Sequence, residues 1–236
     1  MNSKLIALIS LLAALYLIVT LLPGIPVPGL PRLKIQLEAG IATVYGALLG
    51  PIWGAVATAV GVILATYLPP GGASLVSIVF SPSPVFNALI SGLLYKGLRK
   101  QAFLILSVAI IIISVSPIFH PLSKYSYIYF AALYDKVITL FLILTLPYLE
   151  TRNRMIYLIV LGFIGSESDN IMGNVIFSNP YIYKGVFGLN EKIARKLYLI
   201  SPLFYPFVRL LQGVFSAIVI YGLEKRLPKD YWISKS

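Results

Sequence analysis

The sequence predicts an all-α polytopic membrane protein, a helical bundle of about six to eight transmembrane helices with an outward-facing polar pocket. Two observations lead to this fold class. Hydrophobic residues make up 58% of the 236 residues, whereas charged residues make up only 11%. Soluble domains carry roughly 25% charged residues. The whole chain, 1–236, is therefore interpreted as a single integral membrane domain.

The spanning segments follow from the length that a bilayer requires. A spanning helix needs about 20 mostly apolar residues, and the segments that approach this length are 4–22, 35–50, 51–68, 74–95, 102–119, 125–148, 155–177 and 203–223. The uncharged stretch between Glu38 and Lys96 is too long for two crossings and slightly too short for three full ones. Segment 35–50 is therefore the weakest candidate. Segment 4–22 is interpreted as a helix rather than a signal peptide, since no small-residue cleavage site follows its long apolar run.

The charge pattern predicts the orientation. When loops are assigned to alternate sides, more Lys and Arg fall on the side of Lys4 and the C-terminal tail. Both termini are therefore predicted to be cytoplasmic, in a multi-pass protein of the cell membrane. Because the basic residues lie in short loops between apolar runs, the net charge of +11 indicates contact with the lipid bilayer rather than with nucleic acid.

Two external segments are predicted to be ordered. Residues 23–31 contain four prolines and are predicted to form a stiff, extended or polyproline-like strap. Residues 189–198, with Asn190 as N-cap, are predicted to form a short amphipathic interfacial helix. On the other side, Gly50-Pro51 is predicted to mark the corner of a tight helical hairpin.

Small residues indicate where helices pack. Helical spacing places four of them on one face of the first helix: Ser3, Ala7, Ser10 and Ala14. Such faces allow close approach of backbones in lipid. They dock either a partner subunit or another helix of the same bundle, and the sequence leaves both possibilities open.

Polar residues inside spanning segments are costly and are therefore candidates for a binding site. The candidates for substrate binding are Gln36, Glu38, Asp169, Asn170, Asn174 and Arg209. All of them fall in the outer half of the predicted bundle, with Asp135 and Lys136 near mid-depth and Asn87 in the inner half. The alternative is structural, with Arg209 neutralising Asp169 or Glu167 between helices.

Several kinds of chemistry are excluded. The chain has no cysteine and one histidine, His120, so thiol chemistry, cysteine-bound metals and a His-based triad lack their residues. No nucleotide-binding P-loop is present. Tyr134-Asp135 lacks the glycine-rich partner motif of an intramembrane aspartyl protease. The sequence thus predicts no enzyme, metal or cofactor.

Short motifs resemble those of the substrate-binding S components of energy-coupling factor (ECF) transporters, in particular archaeal-type members. The matching stretches are 13–16, 22–29, 34–37, 45–55, 68–71, 165–177 and 205–209. They include Leu-Pro-Gly-Ile-Pro-Val-Pro-Gly, Tyr-Gly-Ala-Leu-Leu-Gly-Pro-Ile-Trp-Gly-Ala and Asp-Asn-Ile-Met-Gly-Asn-Val-Ile-Phe. The usual S component has six helices, fewer than the segments counted here, and many relatives carry a glutamate where Pro206-Phe207 precedes Arg209.

The resemblance implies a function. S components bind a vitamin or similar small nutrient from outside, beneath the loop between the first two helices, and the strap at 23–31 matches that lid. They dock through small residues of the first helix onto a transmembrane coupling protein driven by two cytoplasmic ATPases. The resemblance therefore makes the six polar candidates the pocket and the four small residues the docking surface.

Two rival functions are considered, and both share Asp169 with the proposed pocket. An ion-gradient-driven secondary transporter of a small solute would use Asp135, Lys136 or Asp169 for coupling. A membrane-embedded enzyme acting on lipid head groups would use Glu167 and Asp169, although no complete motif supports it.

Overall fold

A computed structural model describes residues 3–27, 30–35, 38–68, 72–228 and 231–233. The helices in these ranges are α1 (Ser3–Thr20), α2 (Glu38–Tyr67), α3 (Leu75–Phe80), α4 (Pro82–Tyr95), α5 (Arg99–Ser114), α6 (Leu122–Arg152), α7 (Arg154–Phe177) and α8 (Glu191–Arg226). A two-stranded antiparallel sheet, β1 (Ile25–Val27) and β2 (Leu30–Ile35), connects α1 to α2. A 3-10 turn (Pro117–Phe119) precedes α6, and a π-helical turn (Tyr181–Val186) precedes α8.

The helical membrane fold is confirmed. Within the described ranges, six helical segments are long and apolar enough to cross a bilayer: Ser3–Thr20, Ala39–Tyr67, Leu75–Tyr95, Leu122–Arg152, Arg154–Phe177 and Phe204–Arg226. The fifth of these is the most buried. It belongs to α7, which contacts α2, α4, α5, α6 and α8 and so forms the centre of the bundle.

The helix α2 folds back on itself at Gly50. Gly50 has φ 81° and ψ 178°, and Pro51 opens the second arm. A Cβ placed on Gly54 would lie 2.7 Å from the Cα of Gly46, whereas in a straight helix these residues would be about 12 Å apart. The predicted hairpin corner is therefore present, and segments 35–50 and 51–68 correspond to its two arms.

Several predicted boundaries are wrong. Segment 102–119 forms α5, which begins earlier and ends at Ser114 after 16 residues. It stops there because Ser116, before Pro117, takes an extended conformation with ψ 136°. The residues 189–198 do not form a separate helix. Asn190 does cap a helix, by accepting from the Ile193 N–H, but that helix is the start of α8 and continues to Arg226.

The strap is extended, as predicted, but it is paired rather than polyproline-like. Its β1 strand runs antiparallel to β2, with Ile25 opposite Ile35 and Pro26 opposite Lys34. Prolines favour extended backbone, and the pairing adds inter-strand hydrogen bonds that composition alone does not reveal.

One end of the bundle holds residues from near both ends of the chain, and we call it the basal end. Lys4 Nζ lies 3.9 Å from the centre of the Tyr231 ring. Trp232 stacks on Tyr95 at the end of α4, with ring centres 5.5 Å apart. Glu224 accepts hydrogen bonds from Tyr95 and Arg154. These contacts tie α1, α4, α7 and α8 together at the basal end.

Candidate functional site

Buried charges gather where α6, α7 and α8 meet. Asp135 and Lys136 come from α6, Glu167 and Asp169 from α7, and Arg209 from α8. All except Asp169 are buried, and the Asp169 side chain is 15% exposed. Charged groups at this depth need partners, and the structure supplies most of them.

Arg209 pairs with Asp169. Its Nη1 lies 3.1 Å from Asp169 Oδ2 and donates to Gln212 Oε1 at 2.8 Å. The helices α7 and α8 approach closely beside this pair, because Gly162 faces Gly213: a Cβ on Gly162 would lie 2.7 Å from the Gly213 carbonyl oxygen. The pairing expected from sequence is present, so Arg209 and Asp169 link two helices whether or not they also contact a ligand.

The two predicted asparagines form a ladder along α7. Asn170 Nδ2 donates to Glu167 Oε1 at 2.8 Å, and Asn174 Nδ2 donates to Asn170 Oδ1 at 3.1 Å and to its carbonyl oxygen at 2.9 Å. The spacing of three and four residues places them on one helical face, as predicted. Asn170 is buried and Asn174 is half-buried. The ladder therefore becomes more exposed towards the end of α7.

Three charged residues outside the predicted site join this ladder. Lys136 Nζ lies 2.9 Å from Asp135 Oδ1 and 3.7 Å from Glu167 Oε1. Sequence analysis assigned these residues to the rival functions and named Glu167 also as a possible structural partner of Arg209. The available signal was their charge inside otherwise apolar segments, but their connection to Asn170 depends on the packing of α6 against α7.

The start of α2 lies inside the bundle next to this cluster. Asn87 Nδ2 donates to the Ala39 carbonyl oxygen at 2.5 Å, and Ser216 Oγ donates to the Gly40 carbonyl oxygen at 3.0 Å. Asn87 lies about 12 Å along the axis from the end of α4. The first arm of α2 therefore covers only part of the bundle height.

This arrangement bears on two predicted pocket residues. Glu38 is the first residue of α2, one position before Ala39, but its side chain is not among those described. Gln36 lies outside the described residues. The backbone of α2 therefore brings Glu38 near the polar cluster, while the contacts of both side chains stay predictions.

Asn87 of α4 links α4 to α2, and α7 packs over this contact. Its Oδ1 accepts from Thr43 Oγ1 and from Ser91 Oγ, both at 2.9 Å. Gly165 of α7 lies directly over them, since a Cβ there would be 2.2 Å from Ser91 Oγ. Asn87 is buried and its carboxamide makes three hydrogen bonds within the bundle, which indicates a structural role.

Aromatic rings cover the end of the bundle opposite the basal end. Phe177, one turn beyond Asn174, lies 5.6 to 6.4 Å from the ring centres of Tyr183, Phe187 and Tyr198. Phe119 adds a ring 5.0 Å from Tyr198. The π-helical turn thus packs apolar surface beside the accessible end of the asparagine ladder.

The small residues of α1 face outward. Ser3, Ala7, Ser10 and Ala14 are all exposed, whereas the buried face of α1 consists of Ile9, Leu12, Ala13 and Tyr16. Tyr45 Oη donates to the Leu12 carbonyl oxygen at 2.5 Å, which fixes this orientation. Packing within the protein's own bundle is therefore wrong as an explanation of the four small residues.

Comparison with known proteins gives one match. A family model described as "ECF-type riboflavin transporter, S component" matches residues 1–160 of the 236-residue chain. Neither curated proteins nor solved structures give a match.

Proposed function

We propose that this chain, which belongs to the ECF-type riboflavin transporter S-component family, binds riboflavin outside the cell and delivers it inward with ATP-driven partner subunits. The family match carries this proposal. It covers α1 to α5, all of α6 and the start of α7. Membership makes the chain a membrane transport subunit for vitamin uptake that binds a small substrate and works with the components of an ECF module.

The pocket that we assign to riboflavin contains Asp169, Asn170, Asn174 and Arg209, and Gln36 and Glu38 stay candidates for it from the sequence. Riboflavin carries a flat ring system with adjacent donors and acceptors and a chain of hydroxyl groups. Carboxamides both donate and accept, and the guanidinium group donates only. The half-buried Asn174 supports this assignment because it lies at the accessible end of the ladder.

The segment between α1 and α2 acts as the lid in this proposal. Two observations support that role: β1 and β2 pair into a hairpin that connects the two helices, and the start of α2 lies beside Asn87 inside the bundle. A hairpin that leads into a helix beginning inside the bundle is suited to close over a ligand held by α7 and α8.

The exposed face of α1 is the docking surface in this proposal. Ser3, Ala7, Ser10 and Ala14 leave a shallow strip on the outside of the bundle, where a helix of the coupling protein can approach closely. ATP hydrolysis then belongs to the partners, two cytoplasmic ATPases. Both termini are cytoplasmic in this arrangement, and the contact between Lys4 and Tyr231 supports their being on one side.

The proposed association with ATP-driven partner subunits is tested by purifying the tagged protein from its native membranes in mild detergent. Mass spectrometry then identifies the proteins and small molecules that accompany it. We expect a membrane coupling protein, a pair of P-loop ATPases and retained riboflavin. Vesicles that contain the recovered complex should accumulate riboflavin only with ATP. Accumulation that follows a proton or sodium gradient without ATP would instead identify a secondary transporter.

A further inference from the structure

Glu167 is a buried carboxyl group with an incomplete set of partners. Its side chain is 0% exposed. Oε1 accepts from Asn170 Nδ2, but Oε2 has no hydrogen-bond partner among the described residues. An unpaired carboxylate oxygen in a membrane interior is unfavourable in free energy. The question is therefore whether this carboxyl group is ionised.

The nearest cation is already committed to another carboxylate. Lys136 Nζ lies 2.9 Å from Asp135 Oδ1 but 3.7 Å from Glu167 Oε1. The Lys136 backbone N–H also donates to Asp135 Oδ1, at 2.9 Å. Asp135 therefore has both the shorter ion pair and an additional hydrogen bond, and Glu167 is left with the weaker contact.

The other cation in this part of the bundle is also paired. Arg209 contacts Asp169 at 3.1 Å and donates to Gln212. If every group were ionised, the two cations Lys136 and Arg209 would face the three carboxylates Asp135, Glu167 and Asp169. One negative charge would stay uncompensated. Burying an uncompensated charge costs far more free energy than burying an unpaired neutral polar group.

We propose that Glu167 is a proton-binding site that holds its carboxyl group neutral inside the bundle. When Glu167 is protonated, the two remaining carboxylates, of Asp135 and Asp169, are each paired with a cation. The groups that face Glu167 are Asp135, Lys136 and Tyr134 from α6, Arg209 and Tyr205 from α8, and Asn170 from its own helix. The segment 82–95 that forms α4 contains no charged residue.

A neutral Glu167 also has a consequence for the adjacent binding site. The carboxyl group still accepts the hydrogen bond from Asn170 and so still fixes the orientation of that carboxamide. The three carboxyl groups and two cations of α6, α7 and α8 then carry no net charge. The assignment of the proton itself does not depend on which ligand binds.

The test is infrared spectroscopy of the full-length protein in dodecyl maltoside, a detergent without carbonyl groups, at neutral pH and without ligand. The wild-type protein should show the carbonyl stretching band of a protonated carboxylic acid, and Glu167→Gln should lose it while keeping the Asn170 contact. Glu191→Gln, which removes an exposed carboxyl group outside the cluster, is the control and should retain the band. Absence of the band in the wild type, or its persistence in Glu167→Gln, would overturn the proposal. If Glu167 were instead ionised, with a bound cation or water at Oε2, the wild-type protein would show no band.

A second variant tests the cause. Asp135→Asn removes the competing carboxylate, which frees Lys136 to compensate Glu167. We expect Glu167 to ionise and the band to disappear, although Glu167 itself is unchanged. Persistence of the band in folded Asp135→Asn would show that competition for Lys136 does not set the protonation state. The Glu167→Gln comparison decides the proposal independently if Asp135→Asn does not fold.

Discussion

Arg209 of α8 and Asp169 of α7 form a 3.1 Å ion pair in the interior of the bundle. The pair joins the two helices at the level of the proposed pocket, so these residues contribute to stability as well as to any ligand site. A change in riboflavin affinity after substitution of Arg209 is therefore informative only with a separate measure of folding.

We expect Arg209→Ala to destabilise the protein by about 3–5 kcal/mol, because it leaves Asp169 as an uncompensated charge. The double variant Arg209→Leu/Asp169→Asn should recover much of that loss, since neither charge is then buried alone. Thermal unfolding in detergent measures the stability of both variants. A double variant no more stable than Arg209→Ala would show that the ion pair is not the cause.

Asn174 offers a cleaner test of the pocket because it is half-buried and carries no charge. Asn174→Ala should weaken riboflavin binding about tenfold, the effect of losing one hydrogen bond of roughly 1.4 kcal/mol. Thr145→Ala on α6 is the matched control, since Thr145 is exposed and bonds only to the Leu142 carbonyl oxygen. Equal affinities in fluorescence titrations of the two variants would remove Asn174 from the pocket.

The hairpin of α2 depends on glycine where its arms meet α4. A Cβ on Gly46 would lie 2.2 Å from the Ala88 carbonyl oxygen, so Gly46→Ala should lower the stability by about 1–3 kcal/mol through overpacking. Gly222→Ala is the control: it lies in α8 with nothing within 4 Å of the added methyl group. We expect it to be neutral or stabilising. Indistinguishable unfolding temperatures would contradict this packing.

The exposed face of α1 should matter for assembly but not for ligand binding. Ala7→Trp and Ala14→Trp should abolish co-purification of the coupling protein, because a bulky side chain prevents close approach. Riboflavin affinity should stay at the wild-type value. Ile138→Trp on the exposed face of α6 is the control and should assemble normally. Normal assembly of both α1 variants would exclude this face as the docking surface.

The parts of the fold that are determined locally could be predicted from the sequence. Gly50-Pro51 marks a reversal because Pro51 can open a helix and only glycine readily takes the φ of 81° found at Gly50. The outward face of α1 was identified as a set of small residues, but whether it packed inside the bundle depended on the position of Tyr16 and Leu12 against α2.

The site was predicted less completely, for a physical reason. The ladder of Asn170 and Asn174 follows from spacing within one helix. Which cation compensates which carboxylate depends on differences below 1 Å between helices, such as the two distances from Lys136 to Asp135 and Glu167. No pattern in the chain encodes those distances, and so the sequence did not show that Lys136 pairs with Asp135 more closely than with Glu167.

The most direct test of the central claim is a riboflavin titration of the purified protein in nanodiscs, without partner subunits or ATP. We predict saturable binding of one riboflavin per protein, weakened in Asn174→Ala and unchanged in Thr145→Ala. The absence of saturable riboflavin binding by folded wild-type protein would contradict the proposal that this chain is the riboflavin-capturing subunit.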